Sequence, residues 1–317
     1  MLSQAGDLLA SVSYPWPVVP PGLAVKPATD TTTDDPDARL LDRARYGMYP
    51  PGSSFKLVTA TAALRKDPRL AEQTFTCERL PDGRVGKQLP GWARPIRDDP
   101  ADKTPHGRLS MARGLIVSCN AYFAQLGLHV GAPALQETAS LFEISMSQPE
   151  SAKQVRDTLP FEAYGQGQVL ATPFKMARVA ATLAADGAMP QGRWVIDETN
   201  RRIDAPRPVL TPALARSLSA TMRRAVLEGT GRSVKSVEPP IAGKTGTAEI
   251  QDAAAHSWFV GFAPFGPARA APPDTGSSGV TRIAFAVLVE HGGYGGAVAA
   301  PIAGNIVTAA RDLGIVR

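Results

Sequence analysis

The hydrophobic pattern of this chain changes after Pro239-Pro240, and that change is the strongest constraint on its fold. Three short apolar runs follow this point, at 241–250, 257–263 and 282–290. They predict strands joined by loops, and a further strand is predicted at 7–14. Since helix-forming segments fill the middle of the chain, this order predicts an α+β fold in which one antiparallel sheet collects both termini.

The middle of the chain carries the start and stop signals of several helices. Two helices begin at Thr-Pro pairs, at 172–173 and 211–212, where threonine can cap the helix and proline can occupy its first position. Gly187 and Gly229 are expected to end them. The other predicted helices are at 53–66, 109–117, 121–130, 132–142 and 301–313.

Length and composition indicate a folded protein with room for a substantial core. The chain has 317 residues, of which 44% are hydrophobic and 20% charged. We expect one domain over 1–317, with a sheet region at about 1–60 and 205–317 and an all-helical region at about 61–204. Loops are expected in the proline-rich segments 15–37, 81–105 and 264–280.

Charge and cysteine content exclude several classes of function. The net charge of +5 is mild and the basic residues are not interleaved with aromatic ones, so nucleic-acid binding is not expected. No apolar run approaches the roughly 18 residues of a membrane helix. The N-terminus lacks the features of a secretory signal peptide. With only Cys77 and Cys119, a disulfide framework is excluded; one bridge is possible but unsupported by spacing, and both are expected to be buried free thiols.

The histidines give no sign of a metal centre or a Ser-His-Asp triad. None of the four forms a metal-spaced pair, so neither a metal nor a cofactor is predicted; they are His106, His129, His256 and His291. His256 is expected to pack or to make a hydrogen bond at the rim of a site. Trp258 and Phe262, four apart in a predicted strand, share a face and are expected in the core.

Three short motifs occur once each, in one order, and together indicate an acyl-transfer site built around a serine. They are Ser53-Ser54-Phe55-Lys56, Ser118-Cys119-Asn120 and Lys244-Thr245-Gly246. A Ser-x-x-Lys tetrapeptide alone is expected about once by chance in a chain of this size. The ordered set of three is rare, and it therefore carries the inference.

The first motif predicts a serine nucleophile with a lysine base. A serine hydroxyl needs a base at neutral pH, and residues three apart on a helix lie on one face, so Lys56 can reach Ser53. Lys56 must first lose a proton, which requires burial or a nearby positive charge. The helix start, and Lys244 if it faces the same cleft, could supply that charge.

The second motif places a hydroxyl and an amide on alternate positions of a predicted turn between two helices. The Ser118 hydroxyl could relay a proton. The Asn120 side chain could hold a substrate peptide group, since an amide offers both donors and an acceptor. Without the other two motifs, helix capping would be the simpler explanation of both residues.

The third motif predicts a carboxylate site on a strand. Lys244 would act as a fixed charge beside two hydroxyls. Gly243 and Gly246 would leave room for an extended substrate peptide alongside the strand. Gly-Lys-Thr also ends the phosphate-binding loop signature, but Glu238 stands where that signature requires glycine.

These residues resemble a known family, the penicillin-binding proteins and serine β-lactamases. The segments that look most like the transpeptidase domain of class B penicillin-binding proteins are 49–56, 165–167 ahead of 172–173, 243–249 and 258–264. The segment 287–301 is most similar to actinobacterial members. The resemblance covers nearly the whole chain, and the expected architecture is a five-stranded antiparallel sheet flanked by helices, with the active site where the sheet meets the helical region.

The resemblance implies roles for five catalytic residues, which are Ser53, Lys56, Ser118, Asn120 and Lys244. Ser53 would be the acylated nucleophile and Lys56 its base. Ser118 would shuttle the proton, and Asn120 would position the peptide.

The resemblance also implies a substrate-binding set. Thr245, Gly246 and Thr247, with Lys244, would bind the terminal carboxylate, and the backbone N–H groups of Ser53 and Thr247 would hold the oxyanion. The substrates would be peptidoglycan stem peptides ending in D-Ala-D-Ala. β-Lactam antibiotics would acylate the serine as mimics of that ending.

Other activities within the superfamily stay open at this point. A β-lactamase, a D,D-carboxypeptidase and a β-lactam sensor that acylates without turnover all use related motifs. The deacylating glutamate segment of class A β-lactamases is absent between the second and third motifs. Class D enzymes carry Tyr-Gly-Asn where this chain has Tyr164-Gly165-Gln166, and valine or isoleucine where Asn120 stands. Both differences favour a slowly deacylating transpeptidase.

The resemblance finally implies a cellular setting. Full-length members of the family carry an N-terminal membrane anchor and a pedestal domain, and neither is found in this chain, so we expect an isolated catalytic domain. The parent protein would be anchored at the extracytoplasmic face of the bacterial membrane and partnered with a glycosyltransferase.

Overall fold

The computed structural model describes residues 1–16, 38–146, 151–194, 205–266 and 282–316. Its strands are β1 (Leu2–Ser3), β2 (Phe75–Arg79), β3 (Val85–Lys87), β4 (Ile96–Arg97), β5 (Gly107–Leu109), β6 (Ala188–Met189), β7 (Arg207–Pro208), β8 (Ala242–Ile250), β9 (Ala253–Ala263) and β10 (Ile283–Val289). Its helices are α1 (Lys56–Lys66), α2 (Met111–Val117), α3 (Asn120–Val130), α4 (Ala132–Leu141), α5 (Ala152–Glu162), α6 (Pro173–Ala184), α7 (Pro212–Leu227) and α8 (Ala299–Asp312).

The main sheet is antiparallel, and within the described residues it has four strands in the order β1-β10-β9-β8. The predicted α+β class is confirmed, and the three strands after Pro239-Pro240 are confirmed as β8, β9 and β10. The predicted count of five strands is wrong. The strand β1 brings the N-terminus to the sheet and α8 packs the C-terminal segment against β9 and β10.

The strand predicted at 7–14 is not formed, because the chain turns back directly after β1. Ser3 N–H donates to the Asp7 carbonyl at 2.8 Å, and Gly6 N–H donates to the Ser3 carbonyl at 3.0 Å. Asp7 also pairs with Arg193 through its carboxylate. These contacts leave only isolated bridges at Asp7 and Leu8 in place of a strand.

The helix predictions agree with the structure in position. Thr172 Oγ1 accepts a hydrogen bond from Lys175 N–H at the start of α6, and Thr211 Oγ1 does the same for Leu214 N–H at the start of α7. The helix α5 was not predicted. It begins at Ser151, whose hydroxyl accepts from Gln154 N–H at 3.2 Å.

The segment 61–204 was predicted to be all-helical, but it also contains strands. A second antiparallel sheet, in the order β4-β3-β2-β5, occupies part of the stretch 81–105 that was expected to be loop. Its strands have two to five residues each, and such short strands produce no readable alternation of apolar and polar residues. Most of the loop predicted at 15–37, and of that at 264–280, lies outside the described residues.

The main sheet has apolar side chains on both faces. Trp258 and Phe262 lie on the face that packs against the helical part of the molecule, and both are at most 1% exposed, which confirms them as core. Phe259 and Phe285 lie on the other face, with α8. None of the described helices is long and apolar enough to cross a membrane.

Candidate active site

Ser53 lies in a single 3-10 turn, Gly52–Phe55, that leads directly into α1. Gly52 has φ +52°, and a Cβ there would lie 2.6 Å from the Thr247 carbonyl oxygen. Glycine at this position therefore lets the turn approach β8 backbone to backbone. The consequence is that Ser53 lies beside Thr247, the two residues whose N–H groups were predicted to bind the oxyanion.

Lys56 is fully buried at the first position of α1 and points at Ser53. Its Nζ lies 3.0 Å from Ser53 Oγ. It also donates to the Ser118 carbonyl at 2.5 Å and to Asn120 Oδ1 at 2.7 Å. Burial lowers the pKa of Lys56 to about 8, against an opposing effect of the Asp98 charge. The requirement for a lysine that can lose its proton is thus met chiefly by burial.

Lys244 reaches Ser118 from β8. It is fully buried, and its Nζ donates to Ser118 Oγ at 2.8 Å and to the Thr245 carbonyl at 2.8 Å. Burial, reinforced by the charge of Lys56, holds the pKa of Lys244 well below its ordinary value. The Ser118 hydroxyl, also 3.3 Å from Lys56 Nζ, therefore bridges the two lysines.

The turn between α2 and α3 presents Ser118 and Asn120 to the two lysines. Ser118 caps α2 in the left-handed conformation, with φ 62°, and Asn120 is the first residue of α3. Cys119 faces inward between them, is fully buried, and accepts from Tyr122 N–H at 3.3 Å. The predicted alternation of two cleft-facing side chains around a core-facing cysteine is what the structure shows.

Asp98 supports this turn, although no sequence motif indicated it. Its Oδ1 accepts hydrogen bonds from the N–H groups of Asn120 at 2.5 Å and Ala121 at 2.9 Å, so the carboxylate caps the start of α3. Burial alone would raise the pKa of Asp98, but hydrogen bonds from His106, Cys119 and Ala121 outweigh it and hold the pKa at about 2. The side chain is therefore an anion that fixes the turn.

A cleft of about 880 Å³ opens over Ser53 between the two parts of the molecule. Thr245 and Thr247 line it, whereas Lys244 lies beneath, directed at Ser118. Thr230, which sequence reasoning also missed, shares a 2.5 Å hydrogen bond with Thr245 Oγ1. Thr245 and Thr247 of β8 therefore face the cleft, whereas the Lys244 ammonium is directed at Ser118.

The glycines of the third motif have a different use from the one predicted. A Cβ on Gly243 would lie 2.4 Å from the Phe259 ring, and one on Gly246 would lie 2.8 Å from the Pro51 carbonyl oxygen. They thus admit groups of the protein itself. The strand β8 is an edge strand of the main sheet as described, a position to which an extended peptide can add.

The predictions for the two cysteines and for His256 agree with the structure, whereas the surroundings of His106 were not predicted. Both cysteines are buried and free, as predicted. His256 accepts from His291 N–H at 3.1 Å and packs edge-on against Tyr49, as expected for a packing residue. His106, by contrast, lies within 3.7 Å of Cys77 Sγ, a neighbourhood that the spacing of these residues in the sequence did not indicate.

The fold and the site define a protein of the serine-lysine class, in which a nucleophilic serine and a buried lysine share one helical turn beside an antiparallel sheet. The chain belongs to the penicillin-binding protein family: residues 23–308 match the model of the "Penicillin binding protein transpeptidase domain". The resemblance that the motifs indicated is thereby confirmed.

Relatives agree with that assignment. The chain is 31% identical to the peptidoglycan D,D-transpeptidase PbpA of Mycolicibacterium smegmatis, over 96% of this chain and 65% of that protein. A ceftriaxone acyl-enzyme structure of penicillin-binding protein A from M. tuberculosis superposes with TM-score 0.70 and 28% identity, covering 98% of this chain and 72% of that one. The structure of Pseudomonas aeruginosa PBP2 in complex with WCK 5153 superposes with TM-score 0.68 and 28% identity, covering 87% of this chain and 62% of that one. The chain thus spans just under two thirds of the M. smegmatis relative.

Proposed function

We propose that this chain is a peptidoglycan D,D-transpeptidase that works through an acyl-serine intermediate and is acylated by β-lactams. The observation that carries the proposal is the contact of Ser53 Oγ with the buried Lys56 Nζ at 3.0 Å. Similarity to named D,D-transpeptidases and to β-lactam acyl-enzyme structures supports it.

In the acylation step, Ser53 Oγ attacks the carbonyl carbon between the two terminal D-alanines and its proton passes to neutral Lys56. The leaving D-alanine amine needs a proton. Ser118, hydrogen-bonded to both lysines, can deliver it and be reprotonated from Lys244 or Lys56. The developing oxyanion lies between the N–H groups of Ser53 and Thr247.

In the second step, the amine of another stem peptide attacks the acyl-serine, and the same groups act in reverse. Before acylation, the donor peptide lies along the edge of β8 that is unpaired in the described main sheet, and its terminal carboxylate stays at the hydroxyls of Thr245 and Thr247 until the terminal D-alanine leaves. The Asn120 amide holds a peptide group of the donor. Its Nδ2 already donates to the Arg97 carbonyl at 3.1 Å, which orients it at the cleft.

The decisive experiment is intact-mass analysis after incubation with a labelled penicillin. We expect a single penicillin adduct on the unsubstituted chain and none on Ser53→Ala. On Lys56→Ala the adduct should form much more slowly. Ser54→Ala is the matched control, because the Ser54 hydroxyl points away to the Pro51 carbonyl at 2.7 Å and should leave the adduct in place. An unchanged adduct on Ser53→Ala would remove the assignment.

The fate of the adduct separates the related activities. A long-lived adduct, together with cross-linked product from a D-Ala-D-Ala pentapeptide and an acceptor amine, indicates a transpeptidase. Release of opened antibiotic within the assay indicates a β-lactamase. Hydrolysis of the pentapeptide without cross-links indicates a carboxypeptidase, and acylation without any peptide product indicates a sensor.

We further propose that the parent protein acts at the extracytoplasmic face of the membrane, anchored there and partnered with a glycosyltransferase. Membership of the penicillin-binding protein family supports this setting, since peptidoglycan lies outside the cytoplasm. Fractionation of cells that carry the full-length protein, with capture of cross-linked partners, tests it. Recovery in the cytosolic fraction would contradict it.

A further inference from the structure

The cleft continues beyond Thr247 to Glu249, at the other end of β8 from the predicted carboxylate site. Thr245, Thr247 and Glu249 are alternate residues of β8, and all three line the cleft. Two residues of a strand span roughly 6–7 Å, so Glu249 lies that far beyond Thr247. No step of the proposed reaction uses a group at this end of the cleft.

Glu249 is an exposed carboxylate, and its side chain has neither a salt bridge nor a hydrogen bond within the part of the chain that the structure describes. Of the arginines that line the cleft, Arg97 pairs with Asp82 at 2.8 Å, and neither Arg84 nor Arg94 pairs with Glu249. The carboxylate is therefore available to a cation that enters the cleft.

Tyr164 also lines the cleft, and its hydroxyl is unused. The residue is 7% exposed, and among the described residues its hydroxyl has no hydrogen-bond partner. Its ring lies 5.9 Å from Lys56 Nζ, close to the reacting groups. Burial and the charge of Glu249 raise the pKa of Tyr164, so the phenol stays protonated at neutral pH. A polar group that is nine-tenths buried and unpaired in the free protein indicates a ligand that pairs with it.

One turn of the chain holds Tyr164 close to the Glu249 end of β8. Gly52 donates its N–H to the Gly165 carbonyl at 3.0 Å. On the other side of this turn, a Cβ on Gly52 would lie 2.9 Å from the Ala248 backbone nitrogen. Tyr164 directly precedes Gly165, and Glu249 directly follows Ala248. Their side chains therefore flank the part of the cleft that leads away from the reactive serine.

We propose that Tyr164 and Glu249 bind a cationic amine on the side chain of the donor peptide, at the residue before the acylated D-alanine. This inference rests on the proposed function, in which the amine of one stem peptide attacks the acyl-serine formed by another. A stem peptide that can act as an acceptor carries such an amine, and it still carries the amine when it acts as a donor. Since the acyl carbon lies at Ser53 and the leaving D-alanine at Thr245, the rest of the donor extends toward Glu249.

The chemistry of the two side chains suits an ammonium group. A carboxylate and a phenol oxygen both accept hydrogen bonds from it, and the aromatic ring offers a favourable face for its charge. A carboxylate on the donor side chain would instead meet Glu249 as a like charge. A neutral amide would leave Glu249 without a counter-ion. The subsite therefore selects donors with a free amine, and no covalent step occurs in it.

Release of D-alanine from two tripeptide donors tests the subsite. Both are Nα-acetyl-Lys-D-Ala-D-Ala, one with a free and one with an acetylated side-chain amine. At a fixed concentration of one acceptor amine, kcat/KM of the unsubstituted chain should be about fivefold higher for the free amine, the upper range for an ion pair in contact with water. Glu249→Gln should bring this ratio close to one. Tyr164→Phe should lower it about twofold, since one hydrogen bond is lost and the ring stays.

Glu249→Lys gives the sharpest test, because a merely structural role cannot reverse a preference. This variant should favour the acetylated donor over the free amine. Two matched controls should keep the preference of the unsubstituted chain, because neither residue lines the cleft. They are Glu228→Gln, where the glutamate pairs with Arg224, and Tyr122→Phe, where the hydroxyl donates to the Gln73 carbonyl at 2.9 Å.

A measurement on the unsubstituted chain keeps the inference testable where a variant fails to fold. Its preference for the free amine should disappear as salt is raised from about 0.05 M to about 1 M, since screening weakens an exposed ion pair. Equal kcat/KM values for the two donors at low salt would overturn the inference. So would an unchanged preference in Glu249→Lys. An equal loss for both donors in that variant would also overturn it, because the charge would then act on acyl transfer itself.

The penicillin adduct separates this inference from the proposed function. An adduct on a chain that releases D-alanine equally from both donors would remove the subsite and leave the function. A chain that forms no adduct and releases no D-alanine would remove the function itself.

Discussion

Most of the proposed proton transfer depends on the Ser118 hydroxyl, because among the residues that the structure describes it is the one side chain hydrogen-bonded to both buried lysines. We expect Ser118→Ala and Ser118→Gly to slow acylation by penicillin about 100-fold or more, as is typical when a proton relay is lost. Glycine tolerates the φ of 62° at this position, whereas alanine does not. Similar losses of rate in both variants would therefore show that the missing hydroxyl, and not backbone strain, causes the effect. Second-order acylation rate constants measure the effect.

Ser110→Ala is the control for that comparison. Ser110 precedes α2 at its other end and makes no capping hydrogen bond through its side chain. Its replacement should leave the rate within about twofold, consistent with a surface change worth less than about 0.5 kcal/mol. An equally large loss in Ser110→Ala would show that disturbance of α2 explains the effect in place of the relay.

The lowered pKa of Lys56 sets the pH dependence of the reaction. With a pKa of about 8, about 1% of this lysine is neutral at pH 6 and about half at pH 8. Since the neutral form accepts the serine proton, the acylation rate should rise about tenfold per pH unit below pH 8 and then level off. A flat profile between pH 6 and 9 would contradict Lys56 as the base.

Lys56→Arg should abolish that profile together with the activity, because a guanidinium does not deprotonate in this range. Lys175→Met, a lysine of α6 outside the cleft, should keep the rise near pH 8. Loss of the rise in Lys175→Met would show that it reports some general property of the fold.

At the scale of elements, the Gly52–Phe55 turn and β8 depend on each other. Gly52→Ala combines a positive φ with a Cβ 2.6 Å from the Thr247 carbonyl oxygen. Gly83→Ala has the same kind of φ penalty, at +79°, but nothing within 4 Å. Denaturant unfolding should therefore show Gly52→Ala as the less stable by roughly 1–3 kcal/mol, the usual cost of overpacking. Equal losses would mean that the turn can move away from β8 at little cost.

The sequence predicted most of the long elements, with α5 as an exception, and did not predict the short strands that depend on tertiary contacts. The Thr-Pro helix starts and the strands after Pro239-Pro240 carry local signals, and all of them form. The strand at 7–14 was wrong because hydrogen bonds between Ser3 and Asp7 override its local pattern. The strands β2 to β5 are too short to show a period.

In the candidate site, too, some residues could be predicted from local motifs and others depend on how the chain packs. Helical spacing predicted the contact between Lys56 and Ser53. The resemblance to penicillin-binding proteins implied that Ser118 and Lys244 belong to the same site, and their side chains are hydrogen-bonded to each other. Asp98 could not be found, because an acidic residue in a proline-rich segment looks like a surface residue until the fold buries it. The orientation of Lys244 was equally beyond the sequence, since only the packing of β8 directs its ammonium to Ser118.

At the scale of the whole molecule, the candidate active site lies where several parts of the fold meet, and no single part supplies all of its residues. The Gly52–Phe55 turn supplies Ser53 and the helix α1 that follows it supplies Lys56. The α2–α3 turn supplies Ser118, and the main sheet supplies Lys244. Each part closes a different side of the cleft. Relative placement of these parts should therefore affect the access of ligands as well as the chemistry.

A direct contact between the parts crosses the mouth of the cleft. The Tyr294 hydroxyl, after β10, donates to Asp99 Oδ1, after β4, at 3.0 Å. Tyr294 is 51% exposed, so Tyr294→Phe should change stability by less than about 1 kcal/mol. We expect it to loosen the mouth and to raise the acylation rate of a bulky cephalosporin several-fold relative to that of a small penicillin.

The ratio of the two rate constants is the informative quantity, since a general effect on Ser53 would change both equally. Tyr46→Phe, an exposed tyrosine that does not line the cleft, is the control and should leave the ratio unchanged. An unchanged ratio in Tyr294→Phe would show that the Tyr294–Asp99 contact does not limit entry. A lower ratio would mean that the phenol instead helps to hold large ligands. Either result would leave the chemistry at Ser53 intact, because Tyr294 makes no contact with the two lysines or with Ser118 in the hydrogen-bond network described above.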